Sequence, residues 1–312
     1  MRFTRLSGFV VAALALVAGA ATRAQQAPSS GSVAAGVSPA MTGEVAAHFH
    51  HVHLNVTDPA RTIAYYTKIH GAIPVKYRGV ADALFTERSF ILMNTVATPA
   101  PSAIEAGLWH IGWGGRDVPS EFEWFKANGA KIRVPLYPLN NIWVTYLSGP
   151  DDEMIEVNTM GHNRFGHVHL LAKDINATTD WYKKNLGVEA RGDAVPKPAD
   201  MSTVRAWSRG FRCDNVSFVV YGMPDYTPSP PWWTDPPLTA SKPTDGRVID
   251  HIAFSYRAIA PIFDSMKADG VEIVSPIAEQ PAFKHKSFFI RGPDQVLIEI
   301  VEDKPIPEGI WE

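Results

Sequence analysis

Histidines at repeated positions are the residues of this sequence whose type and spacing most clearly suggest chemistry. Segments 50–58 and 165–174 are near-copies, and each carries a His-Val-His triplet. Both are typical of short strands, where side chains alternate, so the two histidines of a triplet point to one face. Two further segments open with a single histidine. The histidines are His51, His53, His167 and His169 in the triplets, and His110 and His251 in the single-histidine segments. We expect these four strands to be equivalent and their histidines to hold metal.

A helix that ends at a glycine is predicted after each histidine strand. Asp58 and Asp174 are suitable N-caps for the first and third helices, and Pro119 and Pro261 mark the starts of the second and fourth. The glycines lie 20, 19, 20 and 19 residues after the first histidine of their strand, at Gly71, Gly129, Gly187 and Gly270. β-rich segments follow each glycine. The chain therefore contains four copies of one strand–helix–strands module.

The second and fourth modules also share a carboxylate near their ends. Gly149-Pro-Asp151 precedes Glu156, and Gly292-Pro-Asp294 precedes Glu299, with five residues from Asp to Glu in both cases. Gly-Pro-Asp predicts a turn, and the segment after it predicts a strand that carries one acid. The first and third modules end without an acid.

Composition restricts the class of protein. The chain has 312 residues, 46% of them hydrophobic, which is enough for about two domains. The net charge is −3 with no basic run, so nucleic acid is not an expected partner. Cys213 is alone, which excludes a disulfide framework and leaves histidine and carboxylate as the possible metal ligands.

The N-terminus has the pattern of an export signal. Arg2 and Arg5 precede an apolar run at 8–21, and small residues follow it, so residues 1–24 are predicted to be a signal peptide. An uncleaved anchor is the alternative, although the run is short for a membrane span. Residues 25–47 are predicted to be a flexible linker. We expect a secreted or periplasmic protein that does not associate with a membrane after cleavage.

The modules predict two domains along the chain. We assign 48–160 to an N-terminal domain of two modules and 163–304 to a C-terminal domain of two modules, with 305–312 as a tail. The C-terminal domain contains a Pro-rich insertion, 223–247, with Trp232-Trp233. This insertion is either a crossover linker or a lid over a site, and its tryptophans suggest stacking on an aromatic or sugar-like ligand.

The four histidine strand–helix–glycine units and the two Gly-Pro-Asp-x(4)-Glu endings resemble the vicinal oxygen chelate superfamily. This group includes glyoxalase I, bleomycin- and fosfomycin-resistance proteins and type I extradiol dioxygenases. The resemblance covers about residues 48–303. It implies an α+β fold in which four βαβββ modules pair into two half-open, cup-shaped sheets. Four modules in one chain could build both cups without a partner, so a monomer or a homodimer is expected.

The same resemblance implies metal ligands from the first and last strands of modules. The N-terminal half would offer His51, His110 and Glu156, and the C-terminal half would offer His167, His251 and Glu299. Two histidines and one carboxylate leave open positions on a metal and suit Fe(II), Mn(II) or Zn(II). Glyoxalase I usually adds an acid at the end of the first module. Apolar residues, Asn94 and Tyr221 stand at those places here, which favours the three-ligand pattern of the dioxygenases and fosfomycin-type enzymes.

Residues beside the implied ligands differ between the halves. Tyr146 lies ten residues before Glu156, where extradiol enzymes carry a tyrosine, whereas Phe289 lies ten before Glu299. His285 is close to the position of the family's upstream histidine. Tyr146 and His285 are therefore candidate acid–base groups for their own halves. His53 and His169 lie one side-chain step further in the cavity and are either groups that orient the ligands, acid–base groups or packed walls.

Together these features predict an exported, metal-dependent enzyme that acts on a small substrate with two neighbouring oxygens. Its reaction would be ring cleavage with O₂, isomerisation or lyase chemistry. The first alternative is a binding protein of the bleomycin-resistance kind, which sequesters a small molecule without turnover. The second is a scaffold that presents the Pro-Trp loop to a partner. Metal content separates the enzyme from both alternatives.

Overall fold

The computed structural model describes residues 46–101, 106–199, 207–222, 241–304 and 306. The predicted signal peptide, nearly all of the linker, Trp232-Trp233 and most of the tail lie outside the described residues. Within the described ranges, no helix is long and apolar enough to cross a membrane.

Each module folds as a strand, a helix and three further strands. The first module comprises β1 (His48–Val56), α1 (Pro59–His70), β2 (Ile73–Tyr77), β3 (Ala81–Phe85) and β4 (Phe90–Thr95). The second comprises β5 (Leu108–Gly115), α2 (Val118–Ala127), β6 (Lys131–Leu139), β7 (Ile142–Ser148) and β8 (Met154–Thr159). The third comprises β9 (Phe165–Ala172), α3 (Ile175–Leu186), β10 (Glu189–Arg191), β11 (Ser208–Cys213) and β12 (Val216–Gly222). The fourth comprises β13 (Ile249–Tyr256), α4 (Ala260–Ala268), β14 (Glu272–Gln280), β15 (His285–Arg291) and β16 (Leu297–Glu302).

The ends of α1 and α3 match their predicted signals. The Asp58 and Asp174 carboxylates each accept two backbone N–H groups of the first helical turn, which satisfies donors that a helix start leaves free. Gly71 and Gly187 end these helices in the left-handed region, with φ of 68° and 69°, where a residue without Cβ is unstrained. Local sequence therefore fixes the direction in which the chain returns to each sheet.

The strands form two sheets of eight, each built from two modules. Cup A is the sheet of the first and fourth modules, in the order β14-β15-β16-β13-β1-β4-β3-β2. Cup B is the sheet of the second and third modules, in the order β10-β11-β12-β9-β5-β8-β7-β6. The first strands of the paired modules run antiparallel at the centre of each sheet, β1 against β13 and β5 against β9. The predicted fold of four βαβββ modules in two cups is confirmed.

The predicted pairing of consecutive modules within each half is wrong. The connection from β8 to β9 runs only from Thr159 to Phe165, and both of these strands flank β5. Its five intervening residues span at most roughly 20 Å, which is enough to cross one strand but keeps the third module in the second module's sheet. The connections from Thr95 to Leu108 and from Gly222 to Ile249 are longer. They allow the first and fourth modules to pair with each other in the other sheet.

A cluster of phenylalanines packs the two sheets against each other. The Phe49 ring of β1 lies 6.0 Å from that of Phe165 in β9 and 5.4 Å from that of Phe218 in β12. The register of β1 shifts between Phe49 and His51, so the phenylalanine can enter this core while the histidine faces the opposite side. The bulge thus separates the packing face of the sheet from the histidine face.

Candidate metal centres

The centre of cup A is a cluster of three buried imidazoles around the Glu299 carboxylate. His51 Nε2 lies 3.2 Å from Glu299 Oε2, and His251 Nε2 lies 3.3 Å from the same oxygen. His285 Nε2 lies 3.3 Å from the other carboxylate oxygen, Oε1. These residues come from β1, β13, β15 and β16, which lie side by side in the sheet. Strand order alone therefore brings residues from the two ends of the described chain into one cluster.

The charges of the cup A cluster are set by burial and by mutual contact. Burial raises the pKa of Glu299, but its close contacts with the three histidines outweigh burial and hold this pKa well below its ordinary value. Burial lowers the pKa of His51 well below its usual range. Burial also acts to lower the pKa of His251, but Asp250 and Glu299 outweigh it and raise that pKa to about 9. Cup A thus combines an ionised carboxylate with one histidine that holds its proton at neutral pH.

A hydrogen-bonded layer of Tyr77, Asp303 and His50 contacts two cup A histidines, His285 and His51, at the ring nitrogens that do not face Glu299. Tyr77 OH donates to Asp303 Oδ2 at 3.1 Å and lies 3.2 Å from His285 Nδ1. His50 Nε2 lies 3.3 Å from Asp303 Oδ2, and its Nδ1 lies 2.7 Å from His51 Nδ1. Asp303 is therefore linked through one intermediary to each of two cluster histidines. Contacts of this kind fix the orientation of imidazoles that bind metal.

The centre of cup B repeats the arrangement with residues of the second and third modules. His110 Nε2 lies 3.0 Å from Glu156 Oε2, and His167 Nε2 lies 3.4 Å from Glu156 Oε1. His169 Nε2 lies 3.8 Å from Glu156 Oε2. Three imidazoles again surround one buried carboxylate.

Two polar side chains of cup B orient the Glu156 carboxylate. Tyr146 OH donates to Oε2 at 2.8 Å, and Asn158 Nδ2 donates to Oε1 at 2.6 Å. Burial raises the pKa of Glu156, but its histidine neighbours outweigh it and hold the pKa well below the ordinary value. Burial lowers the pKa of His110 and that of His169. The carboxylate is therefore ionised and these two imidazoles are neutral, as metal ligands must be.

His53 and His169 occupy equivalent strand positions but have different surroundings. His53 stacks on His251 with ring centroids 4.5 Å apart, and the Asn94 side chain hydrogen-bonds it. His169 stacks on His110 at 4.2 Å and also faces Glu156. Burial and the neighbouring His251 lower the pKa of His53 to about 3.

The residues of both cups fit a divalent metal ion. Several of their buried imidazole nitrogens have no hydrogen-bond partner among the described residues: Nε2 of His51, His53 and His285, Nδ1 of His110 and His169, and both nitrogens of His167. Donor atoms of His110, Glu156, His167 and His169 all lie within 4.8 Å of one another, as do those of His51, His53 and His251. Ligand atoms at about 2.0–2.2 Å from a metal are separated by roughly 3–4 Å. Because unpartnered buried polar atoms are rare, both clusters are candidate metal sites.

Gly112 makes room for His167 in cup B. It lies opposite His167 in the β5–β9 pair and opposite Glu156 in the β5–β8 pair. A Cβ built on Gly112 would overlap the His167 imidazole. Ala253 holds the same place in cup A, opposite His51 and Glu299. The His167 imidazole therefore lies against a glycine in cup B, whereas the equivalent His51 lies opposite an alanine in cup A.

Buried apolar side chains pack beside both clusters. In cup A the Tyr77 ring lies 6.0 Å from that of His285 and belongs to a buried group with Phe85, Phe90 and Leu92. In cup B the rings of Trp109 and Tyr146 lie 4.3 and 5.3 Å from that of His110, in a buried group that also includes Val134, Val144, Met154 and Leu171. Apolar surroundings strengthen electrostatic interactions at a cluster and suit an apolar part of a ligand.

All six ligands predicted from the sequence lie in these clusters, but the predicted grouping by halves is wrong. The observed clusters contain His51 with His251 and Glu299, and His167 with His110 and Glu156. The grouping fails because each cup takes one module from each half. The two candidate acid–base groups, His285 and Tyr146, contact Glu299 and Glu156.

The residues that support the ligands were not predicted from the sequence. Asn158 lies two positions after Glu156, and strand alternation could have placed both on one face. Asp250 directly precedes His251 and contacts its Nδ1 at 2.6 Å, a contact that alternation does not predict. Tyr77 and Asp303 reach the cluster from distant segments, and no spacing rule connects them to it.

Comparison with known proteins agrees with the fold. A model of the Glyoxalase/Bleomycin resistance protein/Dioxygenase superfamily matches residues 48–157 and 164–300. The chain belongs to this superfamily, as the sequence resemblance predicted.

Solved structures share the architecture. Glyoxalase I from Zea mays superposes with a TM-score of 0.62 and 16% identity, covering 82% of this chain and 92% of that one. A predicted dioxygenase from Bacillus subtilis superposes with a TM-score of 0.56 and 14% identity, covering 84% of this chain and 87% of that one. No curated protein matches the sequence. At these identities the likeness concerns the fold alone.

Proposed function

We propose that this chain is a divalent-metal-dependent enzyme that acts on a small molecule with two neighbouring oxygens. The observation that carries the proposal is the convergence, in each cup, of buried imidazole nitrogens without hydrogen-bond partners on one ionised glutamate. A set of two histidines and a carboxylate leaves positions open on Fe(II), Mn(II) or Zn(II).

A metal bound in this set would supply Lewis acidity to substrate oxygens. The protein's own residues supply the rest. In cup A, Asp250 orients His251, and the layer through Tyr77 and Asp303 orients His285. In cup B, Tyr146 and Asn158 hold the carboxylate of Glu156.

Each cup also offers a group that can exchange a proton with a bound molecule. His285 has an unpartnered Nε2 in cup A, so it can accept a proton from a substrate hydroxyl. In cup B the hydroxyl of Tyr146 donates to Glu156 and would have to leave that carboxylate to donate to a substrate oxygen. The reaction class consistent with these groups is ring cleavage, isomerisation or elimination at a vicinal-oxygen substrate.

We further propose that the protein acts outside the cytoplasm. The basic residues Arg2 and Arg5 followed by the apolar run at 8–21 support export. N-terminal sequencing of the protein from the cells that make it tests this proposal, because processing near Gln25 is expected and an intact N-terminus contradicts it.

Metal analysis combined with turnover tests the proposed enzyme. The purified chain is expected to hold about two equivalents of Fe, Mn or Zn by the two-cluster geometry. Glu156→Gln and Glu299→Gln should each remove about one equivalent, and the double variant should hold none. Turnover of catechol, or of methylglyoxal with a thiol, is then compared between these variants. Wild-type protein that binds no metal would contradict the proposal.

A binding protein that sequesters a small molecule is the second candidate. Aromatic side chains beside the clusters favour it, because in cup B the rings of Trp109 and Tyr146 lie 4.3 and 5.3 Å from that of His110. Tight binding of catechol or another flat aromatic to metal-free chain, without turnover by the metal-loaded chain, would support this candidate over the enzyme.

A further inference from the structure

We propose that His169 is a fourth protein ligand in cup B, which makes this centre a three-histidine, one-carboxylate site. This inference rests on the proposed metal site of cup B and goes beyond it. The two-histidine, one-carboxylate set of the proposed function does not include His169.

Backbone register places His169 beside the other ligands of cup B. In the antiparallel β5–β9 pair, His169 lies opposite His110, and His167 lies opposite Gly112. His167 and His169 are two residues apart on one strand, so both side chains project from the same face. Because Gly112 has no side chain, His167 can lean across β5 without displacing His169.

The distances suit one ion held by four residues. The donor atoms of His110, Glu156, His167 and His169 lie within 4.8 Å of one another. His169 Nε2 lies 3.8 Å from Glu156 Oε2, and its Nδ1 is buried with no hydrogen-bond partner among the described residues. Four ligands at about 2.0–2.2 Å from a metal require separations of roughly 3–4 Å, so small side-chain adjustments complete the set.

The equivalent residue of cup A shows that this contact is not a necessary result of strand position. His53 stacks on His251 at 4.5 Å, but its side chain is hydrogen-bonded by Asn94. Tyr221 takes the place of Asn94 in cup B, and its ring lies 5.0 Å from that of His169. The carboxylate of cup A is instead approached by His285 from β15. His53 has a donor atom within 4.8 Å of those of His51 and His251 but, unlike His169, is not grouped with the glutamate of its cup.

A fourth protein ligand changes what cup B can do. Three histidines and one glutamate fill a tetrahedral shell, and a further position is free only if the metal expands its coordination. Cup B is thus expected to bind metal more tightly than a three-ligand site and to offer substrate fewer positions.

Loading the chain with Co(II) allows the histidines bound to the metal to be counted by proton NMR. In a His251→Gln, Glu299→Gln background, where cup A is disabled, the chain is loaded with Co(II) and its proton NMR spectrum is recorded. Each imidazole that binds through Nε2 contributes one strongly shifted, exchangeable Nδ1–H signal. Three such signals are expected, and His169→Gln should leave two and weaken Co(II) binding by more than roughly 100-fold, the upper end of what loss of an orienting partner costs.

One control variant and two contrary outcomes complete the test. His70→Gln changes another buried histidine with an unpartnered Nε2, outside both clusters, and should leave all three signals and the affinity unchanged. Two signals in the parent, with His169→Gln unchanged in spectrum and affinity, would overturn the fourth ligand while leaving the proposed function intact. A parent that binds no Co(II) would overturn the proposed metal site itself.

Discussion

Cup A and cup B share one backbone plan but surround the same three ligand positions differently. Residues at equivalent positions keep the two histidines and the glutamate, whereas the neighbours change. Asp250 precedes the ligand His251 in cup A, and Trp109 precedes His110 in cup B. Phe289 pairs with Glu299 in cup A, and Tyr146 pairs with Glu156 in cup B. The ligand positions follow from the fold, while the electrostatics of each cup depend on the residues around them.

The two cups orient their metal ligands in two different ways. Cup A uses a carboxylate to orient an imidazole, since Asp250 contacts His251 Nδ1 at 2.6 Å. Cup B uses neutral donors to orient the carboxylate, Tyr146 and Asn158 on Glu156. Variants at equivalent positions should therefore have unequal effects, and these inequalities test the comparison.

The largest difference in metal binding between the cups is expected for variants of Gly112 and Ala253, which lie opposite His167 in cup B and His51 in cup A. Gly112→Ala places a methyl group where the His167 imidazole lies, so cup B should lose nearly all of its metal. Ala253→Gly, the matched change in cup A, removes a methyl group and should leave cup A loaded. Metal content after dialysis against a weak chelator measures both. If Gly112→Ala loses metal from cup A, or if both of its cups stay fully occupied, then His167 does not bind metal from its position over Gly112.

The second inequality is the pH dependence of metal binding. His251 must lose its proton to bind metal, and its pKa of about 9 means that protons compete throughout the neutral range. The affinity of cup A should rise about tenfold from pH 7 to 8 by this competition and less steeply as the pH approaches 9, whereas the affinity of cup B should be nearly independent of pH. Competition with a chelator measures each cup separately, in Glu156→Gln for cup A and in Glu299→Gln for cup B.

Asp250→Asn is the control for this prediction. The neutral amide no longer stabilises the imidazolium, so the pKa of His251 should fall and the pH dependence of cup A should flatten. A slope that persists in Asp250→Asn, or an equal slope in cup B, would assign the competing proton to another group.

Local rules predicted the modules, and the resemblance to the superfamily implied the six candidate ligands. Strand alternation, N-caps and terminal glycines act over a few residues, so His51, Gly71 and Glu156 could be placed without coordinates. Which modules share a sheet is a non-local choice. The short connection between Thr159 and Phe165 contained that information, since it ties the second module to the third. Contacts such as Tyr77 with Asp303 depend on that pairing and have no local signature.

The third inequality concerns the turn before the carboxylate strand. Glu153 of the second module is fully buried and accepts from Tyr66 OH of the first module at 2.9 Å, whereas Val296 holds the equivalent position in the fourth module. Burial raises the pKa of Glu153 from its ordinary 4.5 to about 7. The folded chain therefore keeps a proton that the unfolded chain loses between these pH values. The stability that Glu153 contributes is fully present below pH 4.5. It is lost as the pH rises through 7, and the free energy of unfolding falls by up to about 3 kcal/mol.

Glu153→Gln should remove this part of the pH dependence. Chemical denaturation at pH 4.5, 6 and 8 gives the free energy of unfolding of both proteins, and only their difference is interpreted, because other groups titrate in both. The wild-type chain should lose stability relative to the variant as pH rises. A constant difference across this range would mean that Glu153 is ionised in the folded chain, and the two turns would then be electrostatically alike.

The smallest inequality is the hydroxyl that distinguishes Tyr146 from Phe289. Tyr146→Phe removes a donor at 2.8 Å from Glu156, but Asn158 still holds the other carboxylate oxygen. The metal affinity of cup B should therefore fall only about tenfold, as for the loss of one orienting contact. Phe289→Tyr offers the missing donor to Glu299 in cup A, where its effect should be opposite in sign. Chelator competition measures both variants. If Tyr146→Phe instead abolishes turnover at unchanged metal affinity, the hydroxyl acts on the substrate, and cup B would be the cup that carries out the chemistry.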